Sequence, residues 1–181
     1  IVVVPVVVGV WRLGLLNKIQ HKLLLFLLIS VIIEVLANVV GGQGFGLENL
    51  PLLHLYTWLE FFLIGFIFFD HLKQLFSYKF LAWVLTGYTL FIVGNAIWLD
   101  GLFNFNPHAR ALESILVIGI VLSYFFSLLR EMKIKRLELE PLFWVSTAFL
   151  IYFSGSLLIF IVSEYVSNSQ AVMLTVWVIH G

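Results

Sequence analysis

The 181-residue chain is 62% hydrophobic and 11% charged, against about 45–50% and about 25% in ordinary soluble domains. Its ten basic and ten acidic residues cancel to zero net charge, so it has neither the basic footprint of a nucleic-acid binder nor an acidic tail. It has no cysteine, which excludes disulfides, thiolate metal sites, iron–sulfur clusters and cysteine nucleophiles together.

Mean hydropathy of +1.09 places the chain among integral membrane proteins, as one all-α, polytopic transmembrane domain over residues 1–181. Apolar runs separated by polar breaks predict seven helices. The first is Ile1–Trp11, followed by a polar link, Arg12–Lys22. The second, Leu23–Val40, ends at the glycine-rich GGQGFG of Gly41–Gly46, a strong breaker. The third, Pro51–Phe69, begins with a proline in the tolerated first turn and is followed by a link from Asp70 to Lys79. The fourth is Phe80–Leu99, closed by DGLFNFNPH, and the fifth is Ala109–Leu129. The most charged link, Arg130–Glu140, leads to the sixth, Pro141–Ser163, and the seventh starts at Ala171. Each terminal run is shorter than the roughly 20 residues a spanning helix needs, so the first and last spans are read as incomplete. A β-barrel would need alternating strands, and runs such as KLLLFLLISVIIEVL do not alternate.

Of the ten Lys and Arg residues, nine fall in links one, three and five, and only Arg110 lies on the other side. The positive-inside rule then puts those links in the cytoplasm and the N-terminus outside.

This orientation gives each intramembrane polar residue a depth. Glu34 and Asn38 lie in the outer half of helix two, sharing a face with Ser30. In helix three, His54 and Tyr56 are near the outer surface and Glu60 near mid-membrane, aligned with Tyr56 at i,i+4. Asn95 is in the outer half of helix four, Arg110 and Glu113 open helix five, and His180 is at mid-depth in helix seven. The cytoplasmic halves hold almost no strong polar groups. Arg110 is the only base at this level, opposed by Glu34, Glu60 and Glu113. A carboxylate within a span costs roughly 2.5–3.5 kcal/mol on insertion scales, so a paired network is expected.

Structural readings stand beside functional ones here: Arg110–Glu113 as a helix-start ion pair, His54 as an interfacial residue, and Glu34 with Glu60 as a helix-locking network. A metal site could draw on Glu34, His54, Glu60, Glu113 and His180, but there is no HExxH motif and no His pair at i,i+3 or i,i+4. A serine hydrolase would show a G-x-S-x-G elbow, and none is present. Haem ligation by His54 and His180 is geometrically open. No cofactor is identified. The leading reading is a non-enzymatic sensory or ligand-binding module with an outward-facing polar site. The alternatives are an accessory subunit of a larger membrane complex, a proton- or ion-coupled transporter, and a metal-dependent intramembrane hydrolase. The lipid bilayer is the expected surrounding, with a membrane-protein or cytoplasmic signalling partner as further expectations.

The segments PLLHLYTWLEFF, ARALES, PLFWVSTAFLIYFSGSL and WVIHG resemble an uncharacterised family of small seven-helix inner-membrane proteins of Gram-negative bacteria. The resemblance covers most of the chain. It implies an inner-membrane location and an association of some relatives with signalling genes, but no assigned activity.

Overall fold

The computed structural model describes residues 3–41, 49–99, 101–103, 106–131 and 137–166. Six α-helices occur among them: α1 (Val3–Trp11), α2 (Lys18–Gly41), α3 (Leu50–Leu75), α4 (Tyr78–Gly94), α5 (Pro107–Glu131) and α6 (Pro141–Val166). Five of these, α2 to α6, are long and apolar enough to cross a membrane. The chain is a multi-pass membrane protein with apolar helix faces against lipid. The seven-span expectation meets the structure only in these five, because α1 has nine residues and the segment from Ala171 lies outside the described residues.

Two of the expected links are instead largely helical. The helix expected from Leu23 begins at Lys18, because Asn17 and Gln20 form a reciprocal capping pair. The Asn17 Oδ1 accepts from the Gln20 N–H and the Gln20 Oε1 accepts from the Asn17 N–H, each at 2.9 Å. Two orphan donors of the first turn are thereby satisfied.

The link expected over Asp70–Lys79 shrinks to Phe76 and Ser77, since α3 runs to Leu75 and α4 starts at Tyr78. Phe76 leaves the helix in extended conformation (φ −125°, ψ 148°), ending α3. Ser77 is the N-cap of α4, its Oγ accepting from the Phe80 N–H at 3.3 Å. Replacing this cap by Ala costs about 1 kcal/mol. Ser77→Ala is therefore expected to lower stability by that amount, read from detergent-solubilised unfolding, whereas Ser77→Asp is expected to leave it unchanged.

α3 is the most enclosed of the five long helices. It packs on α2, α4 and α5, while α5 and α6 form the most extensive pair. The core is one continuous cluster. At its centre the fully buried Phe68 meets Tyr124 of α5 edge-on at 6.1 Å and Phe149 of α6 at 6.4 Å. Apolar packing of this kind holds helices together in lipid by dispersion, since no transfer from water drives their association.

The two ends of α3 carry different chemistry. Near its C-terminus Asp70 receives three lysines: Lys18 at 3.0 Å, Lys22 at 3.2 Å and Lys73 at 2.8 Å. Lys22 is 8% exposed and also donates to the Phe66 carbonyl at 2.8 Å, joining the start of α2 to the end of α3. Its aliphatic stem packs along the bundle while the ammonium reaches the polar end, the usual behaviour of lysine at a membrane boundary. The N-terminal half of α3 faces the polar centre described next.

Candidate functional site

α3 presents Tyr56, Thr57 and Glu60 within about one helical turn, and α5 opens on Asn106, Arg110, Glu113 and Ser114. On a helix, positions three or four apart share a face, so each set forms a polar strip. The structure lays the two strips together. Arg110 donates through Nη1 to Glu60 Oε2 at 2.6 Å and to Glu113 Oε2 at 3.2 Å. The side chains are enclosed: Arg110 is 16% exposed, Glu60 5% and Glu113 0%. One guanidinium thus serves two buried carboxylates, and one carboxylate is in excess. The second oxygen of Glu113, Oε1, is buried without a hydrogen-bond partner.

Polar groups above and beside the triad are tied into it. The Arg110 guanidinium lies 5.3 Å from the centre of the Tyr56 ring, a cation–π distance. Tyr56 in turn reaches Ser30 of α2 (Oη–Oγ 3.4 Å). Asn106 Nδ2 donates to Thr57 Oγ1 at 3.1 Å, and Thr57 donates to the Leu53 carbonyl. Ser114 returns its hydroxyl to the Arg110 carbonyl at 2.8 Å. Tyr88 of α4 and Tyr152 of α6 stand within electrostatic reach of the triad. Helices α2 to α6 therefore all border this level.

The expected residues divide. Glu60, Arg110, Glu113 and Tyr56 come together as the expected network. His54 is buried on α3, on the turn preceding Thr57. Asn95 is 1% exposed and sits at the start of a π-helical turn, Asn95–Leu99, two turns beyond Tyr88 on the same face. Such turns interrupt α-helices and are frequent at functional sites.

Glu34 and Asn38 do not join the centre. Both are exposed, and Asn38 Nδ2 donates to the Glu34 carbonyl at 2.9 Å on their own helix. The expected opposition of Glu34 to Arg110 is therefore corrected. The buried side of α2 runs through Lys22, Phe26 and Ala37, leaving only Ser30 of the Ser30–Glu34–Asn38 face in contact with α3. His180 lies outside the described residues.

Thr57, Tyr88 and Asn106 were not among the residues expected from the sequence. Thr57 shares the Glu60 face at i−3, a signal that was present. Asn106 stands in a run rich in Asn, Gly and Pro and so read as turn chemistry; its burial against α3 is a tertiary fact. Among the described residues, no group of three or more His, Cys, Asp or Glu side chains is placed to hold a metal ion. Comparisons with protein-family models, curated proteins and solved structures gave no match.

Proposed function

We propose that the protein is a non-enzymatic sensory or ligand-binding membrane module, with the Arg110 centre as its binding site and a small monovalent organic cation as its ligand. The observation that carries this reading is the charge count: two carboxylates, 0% and 5% exposed, share one guanidinium. Like charges about 4 Å apart repel by roughly 4 kcal/mol at an effective dielectric of 20, so a cation that supplies the missing positive charge is favoured. The Tyr56 ring, with the Arg110 guanidinium 5.3 Å from its centre, adds a face suited to an ammonium group. Partial exposure of Arg110 and Tyr56 leaves an edge through which a ligand can enter.

The test is thermal stabilisation of the purified protein by a panel of ammonium, methylammonium and larger amine salts at constant ionic strength. Glu113→Gln removes the excess carboxylate charge while keeping a side-chain oxygen that can accept from Arg110, so it is expected to fold and to abolish the amine response. A response that survives in Glu113→Gln overturns the reading.

The orphaned Glu113 Oε1 favours a second reading, a proton-coupled transporter in which Glu113 takes and releases a proton. Flux driven by a pH gradient in proteoliposomes, lost in Glu113→Gln, would select it. The accessory-subunit and signalling alternatives draw only on the charge of the sequence segment Arg130–Glu140. An inner-membrane location with the N-terminus outside is part of the proposal; the orientation is supported by nine of the ten basic residues lying in the three alternate segments expected as links, at helix ends or between helices.

A further inference from the structure

Away from the polar centre, α3, α4 and α5 enclose a cavity of about 750 Å³ that opens sideways towards the surroundings. Its size falls in the range of about 300–1,000 Å³ typical of ligand sites. The lining is almost wholly apolar and rich in rings, among them Phe61, Phe66, Phe69, Phe76 and Tyr78. Of its two hydroxyl-bearing side chains, Tyr78 and Ser123, Ser123 donates to the Ile120 carbonyl at 2.7 Å. Two glycines, Gly65 and Gly119, form part of the wall, and a Cβ added at either meets nothing within 4 Å. The space therefore exists because side chains are absent there, and nothing else in the described fold fills it.

The end of the groove at the α3–α4 turn is positively charged. Lys73 stands 5.7 Å from the Phe69 ring and Lys22 4.6 Å from the Phe66 ring, and both rings line the groove. Lys79 lies between the lining residues Tyr78 and Phe80. Asp70 is shared by Lys18, Lys22 and Lys73, so the cluster keeps two positive charges in excess even before Lys79 is counted. An apolar slot open to lipid and ending in a lysine cluster of net positive charge matches one chemistry: a long acyl chain joined to an anionic head group.

We propose that this groove binds the acyl chain of an anionic phospholipid from the adjoining leaflet, with its phosphate held by Lys73 and Lys79 at the α3–α4 turn. The site is separate from the Arg110 centre, which lies towards the opposite end of α3.

Delipidated full-length protein in detergent, titrated with dioleoylphosphatidylglycerol or dioleoylphosphatidylethanolamine and read by native mass spectrometry, tests this. Each lysine near an anionic head group contributes about 1 kcal/mol, so phosphatidylglycerol is expected to bind about tenfold or more tightly than phosphatidylethanolamine. Lys73→Gln/Lys79→Gln is expected to reduce that preference to about twofold or less. Gly65→Leu and Gly119→Leu place side chains in open space on helices that favour leucine over glycine, so they are expected to fold normally and lose the bound lipid. Circular dichroism and melting temperature check the fold of each variant. The proposal is overturned if the leucine variants retain phosphatidylglycerol at unchanged affinity, if the lysine variant keeps the preference, or if a second copy of the chain occupies the groove and the protein dimerises without taking up lipid.

Discussion

Arg110→Met is expected to be the most damaging single substitution in the chain, lowering stability by about 3–5 kcal/mol, the usual cost of leaving a buried charge without its partner. Methionine preserves much of the volume, so the loss reports charge rather than packing. Glu60 and Glu113 would then face each other, 5% and 0% exposed, without the guanidinium that now bonds both at 2.6 and 3.2 Å. The same physics predicts recovery. Arg110→Met/Glu60→Gln/Glu113→Gln carries no charge at the centre and is expected to regain at least about half of the loss, because a neutral replacement of a buried ion cluster is often tolerated. Arg110→Lys is expected to fall between, since an ammonium lacks the planar fork that suits two carboxylates. Unfolding in mixed micelles, followed by intrinsic fluorescence, measures all three. A loss under about 1 kcal/mol for Arg110→Met would show that the centre holds no buried charge cluster.

Phe68→Ala is expected to cost about 2 kcal/mol. In water-soluble cores a Phe→Ala change costs about 3–5 kcal/mol, combining lost transfer energy with the cavity left behind. Between helices in lipid the transfer part largely disappears, leaving the cavity and the lost dispersion contacts. Phe68 is fully buried where α3, α5 and α6 meet, with its ring against Tyr124 and Phe149. Phe62, one face away on the same helix, is 43% exposed. Phe62→Ala is expected to cost less than about 0.5 kcal/mol in the same assay. Equal losses at the two positions would contradict the packing described for α3.

Much of the polar centre was legible from residue type and spacing. Tyr56 and Glu60 four apart, and Arg110 and Glu113 three apart, had to share helix faces, and Arg110 had no competitor as the base at that level. Glu34 shows where this reasoning stops. It has the same chemistry as Glu60 and the same expectation of a partner at the Arg110 level, but α2 turns it outwards and α3 turns Glu60 inwards. Both helices are apolar around most of their circumference, and a helix of that kind offers no apolar stripe from which to choose its buried face. The helix ends tell the same story in reverse. The Asn17–Gln20 pair was a capping signature in the sequence, overshadowed by the polar character of the residues around it. Charged residues such as Lys22 and Asp70 marked segment ends correctly as boundary chemistry, while their backbone remained helical.

The sequence by itself determined that the chain is a bundle of membrane-crossing helices, because 62% hydrophobic content in long runs without the alternation of a closed barrel leaves helices to satisfy the backbone in lipid. It also determined which side chains could not rest in lipid without partners. Only the tertiary structure decided which of them became partners. Helix rotation and the relative depth of α3 and α5 place Glu60 and Glu113 on one arginine and Asn106 on Thr57, and they open a groove beside Gly65 and Gly119. These are set by how neighbouring surfaces interlock, a many-helix property that no single segment encodes.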